Sequence, residues 1–244
     1  MKLFDIDSPL IHVLNKVADL MWLNILTMVC CLPIFTAGAS LTAMHYMALK
    51  IVRDEECYIT RGFFKAFKEN FKKATVIWLI LLVVSALLIG DFYILNKSDI
   101  EFNKWVQMGI TFVGILVVLT STFVFPLLAK FENTIMGTIK NACMVGILQF
   151  PKAILMIVFA LLPIAAMIFS WRLFPFVFLF GMSLPAFLSA MLYTKFFKKL
   201  EDKIEEANLP RDEEGNIIRE EEASEDDERI FKDELDECLK VEEK

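Results

Sequence analysis

The sequence predicts an all-α fold: a polytopic membrane helical bundle of about five transmembrane helices, with a Pro/Gly break after the first and cytoplasmic interfacial amphipathic helices. Three observations predict it. Of the 244 residues, 57% are hydrophobic, with a mean hydropathy of +0.55; soluble domains average about 45–50% apolar residues. Residues 20–49 contain no Asp, Glu, Lys or Arg. Four more apolar runs follow, at 74–95, 105–129, 153–170 and 173–194. At about 1.5 Å per helical residue, each approaches or exceeds a hydrocarbon core of about 30 Å.

The net charge of −6 conceals a division. From Lys195 onward there are 20 acidic and 10 basic residues, against 11 acidic and 15 basic before it. Residues 1–200 therefore read as the membrane bundle and 201–244 as an acidic cytoplasmic tail, partly disordered. A narrow apolar stripe, Ile230, Phe231, Leu235, Cys238 and Leu239, runs near the end of the tail. No cleavable signal peptide is evident, because Asp5 and Asp7 come early and no Ala-x-Ala site follows the first span.

Residues 1–16 suggest a short surface helix opening with Pro9 in its first turn. The first span is expected at 17–35. It cannot continue, because Pro33 lacks an amide donor and clashes with the preceding turn. Gly38 adds a flexible point, and Thr36 can satisfy a freed backbone group. A second helix is expected at 40–53, lying in the interface or re-entering partway. In 54–73, Phe63, Phe67 and Phe71 fall at i, i+4 and i+8, with lysines opposite. That pattern reads as an interfacial amphipathic helix and a docking platform for a neighbouring membrane protein. Between membrane segments, nucleic-acid binding is not expected of it. Spans follow at 74–95 and 105–129, a second interfacial helix at 131–149, and spans at 153–170 and 173–194.

Lysine and arginine set the orientation. The 50–73 connection holds seven of them, the 130–152 connection three, and Lys195, Lys198 and Lys199 follow the last span. These faces are expected in the cytoplasm, with the C-terminal tail. In a five-span arrangement the N-terminus is then outside; if 20–49 crosses twice, it moves inside. Span, basic connection, span also occurs twice, as a weak repeat of layout.

No catalytic or nucleotide motif is present: no G-x-x-x-x-G-K-[ST], H-E-x-x-H or G-x-S-x-G. His12 and His45, the only histidines, lack metal-ligand spacing. The five cysteines show no C-x-x-C spacing and are expected to be free thiols. Neither an enzyme nor a cofactor is expected. The better leads are polar residues at membrane depth, which are costly in lipid and tend to face protein or water. Asp19, Asn24, the Pro33–Thr36–Gly38 break, His45 and Asp91 are the candidates, with the Phe63, Phe67 and Phe71 stripe. Asp19 and Asp91 are both expected near outer ends.

Asp19-Leu20-x-x-Leu23-Asn24, Leu32-Pro33-Ile34-Phe35-Thr36-Ala37-Gly38-Ala39-Ser40 and Phe63-Phe64-Lys65-Ala66-Phe67-Lys68-x-Asn70-Phe71 resemble the YesL-like family of bacterial integral membrane proteins. Phe131-Glu132-Asn133-Thr134 and Lys140-Asn141-Ala142 look like its later half. The resemblance covers about residues 1–200. Members of that family often lie beside genes for carbohydrate ABC importers. The resemblance thus implies a multi-pass cell-membrane protein of unknown biochemical activity, a non-enzymatic accessory factor linked to carbohydrate uptake. Its partners would be the lipid bilayer and a carbohydrate ABC permease. The alternative is a small transporter or channel with its site at the broken first helix. Oligomeric state is not legible.

Overall fold

A proline two residues beyond a helix end explains the first turn of the chain. The computed structural model describes residues 9–55, 58–97 and 103–208. Helix α1 (Pro9–Cys31) stops just before Pro33, whose extended backbone (φ −77°, ψ 122°) redirects the chain. A single 3-10 turn (Ile34–Thr36) follows, then α2 (Ala37–Val52). Ser40 Oγ donates to Thr27 O at 3.0 Å near this turn, and Lys16 Nζ meets Asp54 Oδ1 at 2.6 Å at the far end. These two links fix α1 and α2 as an antiparallel hairpin. Its second arm, sixteen residues, is about 24 Å long.

The hairpin revises two expectations. α1 begins at Pro9, so the surface helix and the first span are one element. The start of α1 also shares an end with the basic 50–73 connection, whereas the five-span reading set the N-terminus opposite it. The physical reason is that α2 retraces the length of α1 instead of lying across its end.

Helix α3 (Ile59–Lys97) is continuous for 39 residues. The charge pattern changes sharply between Lys73 and Ala74, but neither Pro nor Gly interrupts the backbone there, so amphipathic helix and span merge. α3 runs antiparallel to α2. A Cβ on Gly62 would lie 2.7 Å from Met47 Sδ, and one on Gly38 2.6 Å from Ala74 O and from Trp78 Cβ. Glycine at 38 is what permits this approach of two backbones.

Helix α4 (Lys104–Lys130) is capped by Asn103, whose side chain accepts from the Trp105 amide at 3.2 Å. Helix α5 (Ile135–Leu148) is capped by Thr134, whose Oγ1 accepts from the Gly137 amide at 3.2 Å. Helix α6 (Phe150–Phe169) leads through a 3-10 turn (Trp171–Leu173) to α7 (Phe174–Phe180) and α8 (Ser183–Asn208). The expected single span at 173–194 is thus broken, bent by 56° at 181–182. Pro185 falls in the first turn of α8, where a missing amide proton leaves no helix bond unmade.

α1, α3, α4 and α6 are each long and apolar enough to cross a membrane, and the bent α7–α8 pair makes up to five. No strand occurs among the described residues. The chain divides into two units, Met1–Thr194 and Lys195–Lys244. The acidic runs and apolar stripe of the tail, like Cys57 and Cys238, lie outside the described residues; Cys30, Cys31 and Cys143 are free thiols.

Candidate functional site

An amide buried in an apolar bundle must find partners, and Asn24 finds them at a helix break. Its Oδ1 accepts from the Met182 amide at 2.8 Å and the Ser183 amide at 3.0 Å, while Nδ2 donates to Phe178 O at 2.7 Å. These are the orphan groups that the end of α7 and the start of α8 expose. Asn24, fully buried, therefore locks α1 to the α7–α8 bend.

The first break is satisfied in the same way. Thr36 Oγ1 is shared between Cys30 O at 2.6 Å and Pro33 O at 2.8 Å, and Trp78 Nε1 donates to Ile34 O at 2.8 Å. Thr27 Oγ1 and Thr42 Oγ1 donate back to Leu23 O and Gly38 O. Pro33, Thr36 and Gly38 are thus gathered against α3, and the carbonyls of Cys30, Pro33 and Ile34 accept bonds from within the chain. His45 stands apart, with its Nδ1 3.4 Å from the hydroxyl of the buried Tyr193.

The structure places the aromatic stripe differently from its sequence reading. Phe63 is fully buried in the protein, with Phe67 and Phe71 half-buried beside it. Consecutive ring centroids lie 6.2 and 5.5 Å apart. Phe63 is turned inward because its face of α3 packs on the α1–α2 hairpin, which leaves Phe64 as the exposed ring.

Asp19 and Asp91 lie at opposite ends of the fold. Asp91 is exposed near the far end of α3. Asp19 lines a cleft of about 470 Å³ at the base of the hairpin, which His12, Lys16, Asp54, Glu55 and Tyr58 also line. His12, Lys16 and Asp19 stand at i, i+4 and i+7 on one face of α1. Asp54 occupies the left-handed position after α2 (φ 56°). The Glu55 amide donates to Lys50 O at 3.1 Å and the Asp54 amide to Ile51 O at 3.4 Å, a Schellman closure in which glycine is usual.

An aspartate at that strained position is explained by its carboxylate, which accepts from Lys16 Nζ at 2.6 Å and lies 3.0 Å from His12 Nε2. The Lys16 hydrogen bond, aided by its charge and by His12, holds the Asp54 carboxyl below the usual carboxylate range. Trp22 Nε1 ties α1 to the start of α3 through Thr60 Oγ1 at 2.8 Å. Sequence reasoning missed Lys16, Asp54 and Tyr58 as one cluster. The signal was available in the i, i+4, i+7 polar face, which disappears when the first helix is started at residue 17.

Residues 20–92 match the family model described as Protein of unknown function, DUF624. No curated protein and no solved structure matches the chain. The DUF624 match opens at Leu20 in α1 and closes at Phe92 near the end of α3. It contains Asn24, the Pro33–Gly38 break, Trp78 and Asp54, and stops short of the α7–α8 bend that Asn24 holds.

Proposed function

We propose that this chain is a non-enzymatic accessory factor of the cell membrane, docked on a carbohydrate ABC permease, with its C-terminal tail in the cytoplasm. One observation carries the non-conducting part: the backbone groups freed at both helix breaks are bonded by side chains of the chain itself, although the buried Ser183 hydroxyl at the second break has no partner among the described residues. Asn24 uses its oxygen and its amide on the α7–α8 bend, and Trp78 and Thr36 occupy the carbonyls freed at Pro33. A transport site at a broken helix needs such groups free for a substrate; here they brace the bundle. The link to carbohydrate uptake rests on the YesL-like resemblance. The cytoplasmic tail rests on the lysine-rich 50–73 and 130–152 connections.

Affinity purification from the native membrane with mass spectrometry tests the reading. Permease subunits of a carbohydrate importer should co-purify, and the protein alone in liposomes should give no sugar flux. A second reading, a small transporter, is favoured by the charged cleft at Asp19. Sugar flux by the isolated protein that Asp19→Asn abolishes would replace the accessory role with that one.

A further inference from the structure

We propose that the cleft at the base of the α1–α2 hairpin binds the ammonium group of a small organic amine, with Asp19 as its counter-ion and Tyr58 as its wall. The charges in the cleft are unbalanced. Among the described residues, Asp19, Asp54 and Glu55 line it, against the ammonium of Lys16 and the imidazole of His12. Asp54 is committed to Lys16 and His12. Glu55 lies 3.7 Å from Lys50. Asp19 has neither hydrogen bond nor ion pair among the described residues, although it is partly withdrawn from solvent at the edge of an apolar helix.

A carboxylate drawn out of water in this way is stabilised by a cation. The Asp54 turn and its 2.6 Å contact with Lys16 join the α1 side of the cleft to the end of α2. Tyr58, 83% exposed, offers a ring face of the kind that attracts ammonium groups. A volume of about 470 Å³ falls within the range of small-ligand sites. It admits a short diamine, and equally an ethanolamine headgroup, since the cleft opens where the uncharged run of α1 begins. The ammonium is the shared chemistry of both sources.

The experiment uses the full chain in nanodiscs of phosphatidylcholine and phosphatidylglycerol, titrated with putrescine by calorimetry. Saturable binding is expected, at least tenfold weaker in Asp19→Asn. Tyr58→Ala, at an exposed position that leaves the fold intact, should also weaken it, and Tyr58→Phe should restore it. The same titration in discs containing phosphatidylethanolamine separates the sources. Unchanged putrescine affinity assigns the site to a free amine. Lost affinity, with phosphatidylethanolamine retained on the purified protein, assigns it to the headgroup. The proposal is overturned if neither putrescine nor phosphatidylethanolamine is retained, or if Asp19→Asn and Tyr58→Ala bind as the parent does. Glucose binding as tightly as putrescine, with the same dependence on Asp19, would also overturn it. Permease co-purification is a separate readout, so either result leaves the accessory reading independently testable.

Discussion

The hairpin arm α2 and helix α6 are both apolar, yet they sit in the fold in opposite ways. Ten of the sixteen residues of α2 are buried, including Ser40 and Thr42, whose hydroxyls bond to backbone. Of the twenty residues of α6 only Ala153 and Met156 are buried. α2 is shaped for protein: Gly38 meets α3 at backbone distance, and Ser40 bonds to the α1 backbone. α6 is shaped for lipid, with Ile154, Val158, Leu161, Ile168 and Phe169 facing outward. The lesson is that hydropathy marks what leaves water, while small and polar residues mark what packs on protein.

Substitutions can break this contrast, and the largest effect is expected at Gly38. Gly38→Leu forces a side chain into Ala74 O and Trp78, and neither backbone can yield without separating α2 from α3. Destabilisation of about 3 kcal/mol is expected from overpacking, read as a lowered midpoint in thermal melting of the purified protein. Gly109→Ala, with nothing within 4 Å of the added methyl, should be neutral or slightly stabilising.

Asn24→Leu comes next. It keeps the volume but strands the Met182 and Ser183 amides and Phe178 O. A cost of about 2 kcal/mol is expected from unsatisfied buried groups. Hydrogen exchange should speed up first at 178–184.

A smaller effect, with a pH signature, is expected at Asp54. Its carboxyl is held low by Lys16, so the pair's contribution is complete above the ordinary carboxylate pKa of about 3.9. It is lost as pH falls through the lower folded-state value. The melting midpoint of the parent should therefore drop more steeply below about pH 4 than that of Asp54→Asn, which keeps tolerance of the left-handed backbone. The smallest effect belongs to α6: Ile168→Ala, at a position 83% exposed, should move stability by no more than about 0.5 kcal/mol.

Much of this was legible in the sequence. The Pro33 break and the apolar spans follow from residue type alone. What was hidden shares one cause: an apolar face reads the same whether protein or lipid covers it. The Phe63–Phe67–Phe71 spacing fits an interfacial helix and a packed one equally, and only the partner helix decides. The uncharged run at 20–49 is too long for one crossing and too short for two, so the return of α2 is fixed by contacts, Ser40 to Thr27 and Asp54 to Lys16, that no spacing rule supplies. Asn24 was recognisable as costly in lipid, but its partners lie more than 150 residues away.

The hairpin is the centre of the account, and side-specific labelling tests it most directly. In a chain freed of native cysteines, single cysteines would be placed at Asn15, Glu55 and Lys97 and treated with a membrane-impermeant maleimide from each face of oriented vesicles. Asn15→Cys and Glu55→Cys should be labelled from the same face and Lys97→Cys from the other. Labelling of Asn15→Cys and Glu55→Cys from opposite faces would contradict the hairpin, and with it the cleft that joins the two ends.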